Sequence, residues 1–311
     1  MAKMLITGGA GFIGTNLARE LRSRGHEVRT IDIKPFNDPL HDRIDVTYYQ
    51  QLEAYFKKFK FDYVYHLAAE YGRWNGEDHY QNLWQVNVIG LKNMLRLQEI
   101  HRFKMISFSS AEVYGDFEGV MSEDVMDRVP IKQMNDYAIS KWAGELQCIN
   151  HALMFGVEVV RVRPVNCYGP HEYYDRYRGV VPIFVHKCLV GEKFSVHRGH
   201  KRIFDYVDDT VRTVANISDN FIAGEVYNLG SDEKWEISIE QLAEIVIQET
   251  GANPALMEVK GEEAFTTKVK HMDFSKIRRD LRHTAEIDIR EGVKRYAAWM
   301  RSFYAFQNQF S

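Results

Sequence analysis

Tyr137 and Lys141 are four residues apart in the segment Tyr-Ala-Ile-Ser-Lys. On a helix, this spacing places both side chains on one face. A nearby ammonium favours phenolate over phenol, so the tyrosine could exchange protons nearer neutral pH than its ordinary pKa of about 10 allows. The pair therefore predicts a general base, Tyr137, whose pKa is lowered by Lys141. Taken alone, the spacing is more typical of an amphipathic helix with a packed Tyr and a solvated Lys.

A second group of polar residues follows a predicted strand at residues 104–109. The segment 109–115 reads Ser-Ser-Ala-Glu-Val-Tyr-Gly and supplies the hydroxyls of Ser109 and Ser110 and the carboxylate of Glu112. Ligands of open parallel sheets bind at the carboxyl ends of the strands. We therefore expect these groups to lie near Tyr137.

A glycine-rich turn follows the first predicted strand, with Gly8, Gly11 and Gly14 in the segment Thr-Gly-Gly-Ala-Gly-Phe-Ile-Gly. Glycines here permit a tight turn, close approach of a phosphate and close helix packing, and the helix N-terminus that follows attracts a pyrophosphate. Asp32 lies 18 residues after Gly14, where a carboxylate meets the adenosine ribose of a dinucleotide. A carboxylate repels a 2′-phosphate, so the pattern favours NAD over NADP, although Lys34 weakens that preference.

These residues belong to an alternation of β-branched runs with amphipathic helical patterns, typical of βαβ units. We predict strands at residues 4–7, 27–33, 63–67, 104–109 and 158–163, and helices at 14–24, 52–59, 83–100 and 137–155. Helices are also predicted at 182–190, 239–249 and 289–301. The fold class is therefore α/β, a Rossmann-type doubly wound parallel sheet over residues 1–168. Residues 169–311 form a smaller C-terminal lobe, with some chain returning to the sheet.

Composition excludes several classes of protein. The 311 residues carry 40 Lys and Arg against 43 Asp and Glu, a net charge of −3, so no basic field recruits nucleic acid or anionic lipid. The three cysteines lack a C-x-x-C pattern and no histidine spacing fits a metal site, so we expect neither zinc nor another metal. With no signal peptide and no run of about 18 apolar residues, we expect a cytoplasmic protein that does not enter a membrane.

Together these motifs resemble an extended short-chain dehydrogenase/reductase of the nucleotide-sugar epimerase and dehydratase group. The resemblance covers nearly the whole chain. It rests on residues 7–14, Asp32, and residues 66–69, 87–88, 109–115, 137–141, 163–170 and 202–209.

The resemblance implies a role for each matching residue. Tyr137 takes the proton of the sugar 4-hydroxyl while C4 gives a hydride to the nicotinamide of NAD. Lys141 lowers the tyrosine pKa and holds the nicotinamide ribose, and Ser110 hydrogen-bonds the reacting oxygen. Asn166 and Arg202 hold the nucleotide diphosphate, a task that suits charge-assisted contacts from an arginine. The alternatives are a loop-capping amide for Asn166 and an ion pair with Asp205 for Arg202.

The complete expected sites are larger, and they comprise a cofactor set and a substrate set. The residues expected to bind NAD are Gly8, Gly11, Phe12, Ile13, Gly14, Asp32, Asp45, Val46, Leu67, Ala68, Ala69, Asn87, Ser109, Tyr137, Lys141 and Pro164. The residues expected to bind a nucleotide-diphosphate sugar, with the C-terminal lobe, are Tyr71, Arg73, Ser110, Ala111, Glu112, Asn166, Arg178 and Arg202.

The chain departs from the resemblance at one position. Nucleotide-sugar 4,6-dehydratases usually carry an Asp-Glu pair where this chain has Ala111-Glu112, so the base is kept and the usual acid is absent. The main interpretation is an epimerase or dehydratase that oxidises the sugar at C4. In that reaction Glu112 is either a base at C5 or only an acceptor of a hydrogen bond from a sugar hydroxyl. A UDP-glucuronate decarboxylase also fits, with Arg178 or Arg73 beside the substrate carboxylate. A non-catalytic NAD-binding sensor is the alternative from another class; retention of Ser110, Tyr137 and Lys141 argues against it.

Two loops and two helices carry further expectations. Residues 70–80 and 171–178 are rich in aromatic and charged side chains, and they are expected to shape the sugar pocket or to pack between the lobes. The helices 83–100 and 137–155 are apolar around more than one stripe. Because a second apolar face needs a second partner, we expect a homodimer through a four-helix bundle. The alternative is that the C-terminal lobe covers that face.

Overall fold

A computed structural model of the protein describes residues 1–263 and 266–307. Its strands are β1 (Lys3–Thr7), β2 (Glu27–Asp32), β3 (His41–Arg43), β4 (Tyr63–His66), β5 (Lys104–Phe108), β6 (Val159–Pro164), β7 (Cys167–Tyr168), β8 (Phe194–His197), β9 (Lys201–Arg202), β10 (Asp205–Tyr206), β11 (Val226–Leu229), β12 (Ile237–Ser238) and β13 (Met257–Lys260). Seven of them form one parallel sheet in the order β11-β6-β5-β4-β1-β2-β3.

Helices cover both faces of this sheet. They are α1 (Phe12–Ser23), α2 (Tyr49–Lys58), α3 (Arg73–Asp78), α4 (Tyr80–Trp84), α5 (Leu91–His101), α6 (Val125–Arg128), α7 (Asp136–Phe155), α8 (Val180–Val190), α9 (Val207–Asp219), α10 (Ile239–Thr250), α11 (Ser275–Leu281) and α12 (Ile289–Gln307). Strands buried on both sides need apolar residues at consecutive positions, and Met4, Leu5 and Ile6 of β1 are fully buried. The predicted α/β fold with a doubly wound parallel sheet is confirmed.

The predicted single helix at residues 83–100 is wrong in detail. The chain instead forms α4, a π-helical segment at Gln85–Gly90, and then α5. The wider π turn, a feature common at functional sites, carries Asn87, whose side chain bonds the loop after β4. Part of the predicted loop 70–80 is also helical, because α3 begins at Arg73.

The C-terminal part of the chain is interleaved with the sheet. Strand β11 pairs with β6 at the sheet edge, whereas β7 with β10, β9 with β12, and β8 with β13 form small separate sheets. Helices α8, α10 and α12 pack together. Cys148, Cys167 and Cys188 are free thiols. None of the helices among the described residues combines the length and apolarity that a membrane crossing requires.

Candidate active site

The glycine turn between β1 and α1 has no room for side chains. Gly8 has a φ of +71°, and a Cβ on it would lie 2.8 Å from the backbone nitrogen of Ala68. A Cβ on Gly14 would lie 2.2 Å from the carbonyl oxygen of Gly8. The first turn of α1 contains no acidic residue. The turn therefore fits a pyrophosphate, which needs close backbone approach and an unopposed helix N-terminus.

Asp32 ends β2 beside this turn. Its carboxylate accepts hydrogen bonds from the backbone N–H groups of Ala10, at 3.1 Å, and Lys34, at 3.0 Å. These bonds fix the side chain at the cleft wall, where a ribose hydroxyl of a dinucleotide would meet it.

A cleft with a volume of about 440 Å³ runs from the glycine turn to the carboxyl ends of β5 and β6. The expected cofactor residues that line it are Gly8, Gly11, Phe12, Ile13, Gly14, Asp32, Asp45, Val46, Leu67, Ala68, Ala69, Ser109, Tyr137, Lys141 and Pro164. Of the expected substrate residues, Tyr71, Ser110, Asn166 and Arg178 line it. The structure thus brings most of the expected cofactor residues and half of the expected substrate residues into one cleft, whereas Arg73, Ala111, Glu112 and Arg202 do not line it.

Asn87 does not line this cleft. Its buried side chain accepts a 2.8 Å hydrogen bond from the backbone N–H of Glu70 and donates to the Glu70 carbonyl at 3.0 Å and to Ser140 Oγ at 3.0 Å. All of these contacts are made within the protein, because the π turn aims the amide at the loop after β4. Asn87 therefore positions the loop that carries Leu67, Ala68 and Ala69.

Helix α7 positions the Tyr–Lys pair. Its N-terminus is capped by Asn135, whose side chain accepts a 2.8 Å hydrogen bond from the backbone N–H of Ala138. Tyr137 lies one turn before Lys141, and the Ser110 side chain is close enough to act to lower the pKa of Tyr137. The Nζ of Lys141 donates a 2.8 Å hydrogen bond to the carbonyl oxygen of Phe108, the last residue of β5. Tyr137, Ser110 and Lys141 therefore meet at the sheet edge.

The expected lowering of the Tyr137 pKa is wrong. Burial, with a smaller contribution from the nearby Glu112 carboxylate, raises this pKa to about 12, although the Ser110 side chain acts to lower it. Lys141 Nζ is turned to the Phe108 carbonyl and lies 5.9 Å from the centre of the tyrosine ring. Burial also lowers the pKa of Lys141 itself to about 8, against the effect of Glu145.

Glu112 lies in a short 3-10 helix after β5, surrounded by cations. Its carboxylate accepts a hydrogen bond from Lys270. The side chain of Lys270 is 4% exposed and that of Glu112 is 41% exposed. The ammonium is therefore buried, whereas the carboxylate is partly exposed to solvent. Lys270, Arg202 and Arg73 together hold the pKa of Glu112 below its ordinary value, although burial acts to raise it. Sequence reasoning missed Lys270, which carries no motif and is 158 residues from Glu112.

The two arginines near Glu112 are held by other partners and do not line the cleft. Arg202 donates to the backbone carbonyls of Lys201, at 2.7 Å, and Lys268, at 2.8 Å. The alternative ion pair with Asp205 is absent from the described contacts, since Asp205 accepts a hydrogen bond from Thr210. Arg73 pairs with Glu263. The expected substrate residue Ala111 is buried and also lies outside the cleft wall.

The two loops expected to shape the sugar pocket pack against each other. The guanidinium of Arg178 lies 3.8 Å from the centre of the Tyr71 ring. The Tyr177 hydroxyl donates a 2.7 Å hydrogen bond to Asp78. Below them Asn166, in the left-handed region with a φ of 36°, donates through Nδ2 to the Ile203 carbonyl at 2.9 Å. The two loops are therefore joined to each other, and Tyr71, Asn166 and Arg178 form part of the cleft wall.

A buried ion pair supports the catalytic edge. Arg163 on β6 donates to both carboxylate oxygens of Glu145 on α7, each at 2.8 Å. Ser109 Oγ donates to the same carboxylate at 2.5 Å, and Arg163 also donates to the Tyr114 hydroxyl at 2.8 Å. This network ties β5, β6 and α7 together. In the part of the chain that the structure describes, His, Cys, Asp and Glu side chains form no group that could hold a metal ion.

Residues 4–230 match the sequence model of the NAD dependent epimerase/dehydratase family. The chain belongs to this family. It is an NAD-dependent enzyme of the epimerase/dehydratase type, and NAD is its cofactor. The cleft fits NAD through the glycine turn, which a Cβ would fill, and through the Asp32 carboxylate.

Relatives within the family have different named activities. The chain is 31% identical over 317 residues to a UDP-N-acetyl-alpha-D-glucosaminuronate decarboxylase of Bacillus cytotoxicus, covering 96% of this chain and 98% of that protein. It is 30% identical to UDP-glucuronic acid decarboxylase 1 of Arabidopsis thaliana, covering 96% and 70%. The solved structure of the epimerase Mth375 from Methanothermobacter thermautotrophicus superposes with a TM-score of 0.90 at 25% identity, covering 99% of this chain and 94% of that one.

Proposed function

We propose that this epimerase/dehydratase family enzyme converts a nucleotide-diphosphate sugar by transient oxidation at C4 of the sugar. The observation that carries the proposal is that Tyr137, Ser110 and Lys141 line the same cleft as the glycine turn, with Lys141 bonded to the carbonyl of Phe108 at the end of β5. Relatives named as epimerases, dehydratases and decarboxylases of nucleotide sugars support the substrate class.

In this proposal Tyr137 acts as a phenolate that takes the proton of the sugar 4-hydroxyl. The Ser110 hydroxyl is proposed to bond the same oxygen, and its proximity favours the phenolate because it acts to lower the pKa of Tyr137. Lys141, anchored on the Phe108 carbonyl, presents an ammonium on the same helix face. When bound, NAD supplies the hydride acceptor for C4 and returns the hydride later in the turnover.

The remaining proposed contacts divide the cleft between its two ligands. Gly8, Gly11 and Gly14 hold the pyrophosphate of NAD by their backbone, and Asp32 accepts from the adenosine ribose. Asn166 is proposed to contact the substrate diphosphate, and Tyr71 and Arg178 are proposed to contact the sugar. All of these residues line the cleft, and the roles proposed for the glycines, Asp32 and Asn166 are those that the resemblance implies.

Glu112 and its cations favour a second candidate, decarboxylation of a nucleotide-linked uronate. Lys270, Arg202 and Arg73 lie close enough to Glu112 to lower its pKa, so this corner could accept an anionic C6 carboxylate. Oxidation at C4 would convert such a substrate into a β-keto acid. That acid loses CO₂ by cleavage of the C5–C6 bond, and the electron pair left at C5 then takes up a proton. Two relatives covering most of this chain are named as decarboxylases of this kind.

A panel of UDP-, dTDP-, GDP- and CDP-sugars, incubated with the NAD-loaded enzyme in deuterated water, tests the proposal by NMR of the products. A 4-epimer without ring deuterium indicates direct epimerisation. Deuterium at C5 indicates proton exchange there, and CO₂ release from a uronate identifies decarboxylation. If Tyr137→Phe and the wild type give the same products at the same rate, or if no sugar of the panel is converted, the proposal fails.

We also propose that two copies of the chain associate through α5 and α7. The side chains of Ile100 on α5 and of Leu146, Leu153 and Met154 on α7 are exposed, Leu153 to 82%. These apolar residues are not covered by the C-terminal lobe in the described part of the chain. An apolar face of this kind fits the intersubunit four-helix bundle expected from the sequence.

A further inference from the structure

The cleft contains a buried carboxylate that the proposed mechanism does not use, that of Glu172. The side chain is 7% exposed and lines the same cleft as Tyr137 and Asn166. Among the described residues, none donates a hydrogen bond to its Oε2. The nearest cationic nitrogen, Nη1 of Arg178, lies 3.9 Å from Oε1, which is beyond hydrogen-bond distance.

The backbone on either side of this carboxylate is firmly held. The N–H of Glu172 donates to the Gly169 carbonyl at 3.1 Å, and its carbonyl accepts from the Tyr296 hydroxyl of α12. The indole of Trp299, one turn further along α12, packs 5.7 Å from the His171 ring and 5.3 Å from the Tyr173 ring. The position of Glu172 is therefore fixed by hydrogen bonds of its backbone and by the packing of the neighbouring aromatic rings. Hydrogen bonds to its carboxylate do not contribute in the part of the chain that the structure describes.

Arg178 beside it also has unused hydrogen-bonding capacity. Its guanidinium stacks on the Tyr71 ring, and its buried Nε has no hydrogen-bond acceptor among the residues that the structure describes. Both side chains line the cleft. A carboxylate and a guanidinium thus border the cleft, each with a polar atom that the described protein groups leave unpaired.

A buried carboxylate without hydrogen-bond donors is costly to keep, because it loses its hydration and here gains only the attraction of Arg178 at 3.9 Å. Burial accordingly raises the pKa of Glu172 to about 7, with Arg178 acting in the opposite direction. A bound ligand that donates a hydrogen bond to Oε2 would offset this free-energy cost of burial. A sugar hydroxyl can supply this donor, whereas an anionic phosphate would be repelled by the carboxylate.

We propose that Glu172 is a specificity-determining residue that accepts a hydrogen bond from a hydroxyl group of the bound sugar, a proposal that rests on the proposed function. The carboxylate lies on the loop after β7 with Arg178, and across from Tyr71, whereas the glycine turn and Asp32 belong to the β1–β2 side of the cleft. Its position therefore assigns it to the substrate and not to the adenosine part of the cofactor. The guanidinium of Arg178 lies 3.9 Å from it on one side.

Calorimetry on the NAD-loaded enzyme tests this assignment with three probes: UDP-glucose, UDP-glucuronate and UDP, which lacks the sugar. Glu172→Gln should weaken binding of a UDP-sugar about tenfold, because a hydrogen bond to a charged acceptor is replaced by a neutral one. Glu172→Leu should weaken it more. Neither variant should change the affinity for UDP, and Glu192→Gln, an exposed carboxylate at the end of α8, serves as the control.

Thermal unfolding provides a second readout that a merely structural role would not give. The carboxyl of Glu172 has a folded pKa above its unfolded value, so ionisation destabilises the protein as pH rises from about 4.5 to about 7. Glu172→Gln should therefore raise Tm at about pH 8 and have a smaller effect at about pH 5. A residue selected only for stability would instead lower Tm when replaced.

Weaker binding of UDP-sugar with unchanged binding of UDP, together with a higher Tm at about pH 8, supports the assignment. Unchanged sugar binding, an equal loss for UDP and UDP-sugar, a loss confined to NAD, or a lower Tm overturns it. Turnover of the wild type is measured in parallel. If the wild type converts a nucleotide sugar and Glu172→Gln binds it normally, this inference fails alone, whereas a wild type that binds and converts none contradicts the proposed function as well.

Discussion

The ammonium of Lys270 donates a hydrogen bond to the carboxylate of Glu112 across 158 positions of sequence. Lys270 is nearly fully buried, so the ion pair is screened by water on the Glu112 side only. The contact keeps Glu112 anionic beside Tyr137, whose pKa it raises. The charge on Glu112 is therefore set by a residue of the C-terminal part of the chain.

Lys270→Met should shift the acid limb of the pH profile of kcat/KM upwards, by about one pH unit or more. A close opposite charge lowers a carboxyl pKa by roughly one to three units, and burial acts unopposed by Lys270 in the variant. Activity that requires anionic Glu112 would then be lost at a higher pH as the solution is acidified. Lys268→Met, whose exposed side chain pairs with Glu262, is the matched control. An unchanged acid limb would show that Glu112 need not be ionised.

Tyr137→Phe should lose about 10² to 10⁴ of the turnover and leave the affinity for a nucleotide sugar nearly unchanged, since it removes only the proton acceptor. Because burial raises the Tyr137 pKa to about 12, the reactive phenolate fraction of the wild type grows with pH. We therefore expect kcat/KM to rise with pH through the neutral range. Steady-state kinetics check both statements, and near wild-type turnover of the Phe variant would assign the base elsewhere.

The protein should bind NAD more tightly than NADP. The Asp32 carboxylate is fixed by two backbone N–H groups at the cleft wall, so it cannot turn away from a 2′-phosphate without losing them. Asp32→Asn should reduce the ratio of NAD affinity to NADP affinity, because it removes the repulsion between the carboxylate and the 2′-phosphate of NADP. Fluorescence titration with the two reduced cofactors measures the ratio, and an equal or reversed wild-type preference contradicts the role of Asp32.

Arg163→Met should lower the free energy of unfolding by about 3–5 kcal/mol, because it leaves the Glu145 carboxylate buried without its cation. Arg19→Met removes an exposed ion pair with Asp208 and should cost less than about 1 kcal/mol. Urea denaturation compares the two variants. Equal midpoints would mean that the buried pair adds nothing to the stability of the sheet edge.

Leu146→Glu should convert a dimer into monomers, since it introduces a charge into the apolar face of α7. Val120→Glu, at an exposed apolar residue outside α5 and α7, should not. Light scattering at low micromolar concentration is the measurement. A wild-type particle at the mass of one chain, 36.3 kDa, rejects the dimer.

The sequence predicted the fold and most of the residues that line the cleft near the glycine turn, because both depend on local signals. Gly8, Gly14 and Asp32 are tied to strand ends, and the periodicity of the segments identifies the sheet. The partners of Glu112 and Glu172 were not predictable, since Lys270 and Tyr296 approach them from distant segments without a motif. The Tyr137 pKa was wrongly predicted for a related reason: spacing reveals a neighbouring Lys141 but not how deeply the phenol is buried.

The central claim is that C4 of a nucleotide sugar is transiently oxidised, and single-turnover absorbance of reduced nicotinamide tests it most directly. The NAD-loaded enzyme is mixed with a substrate identified in the panel, carrying either hydrogen or deuterium at C4. We expect the signal of reduced nicotinamide to rise and then fall, more slowly with deuterium, and to be absent in Tyr137→Phe. Product formation without reduced nicotinamide and without an isotope effect at C4 would contradict the account.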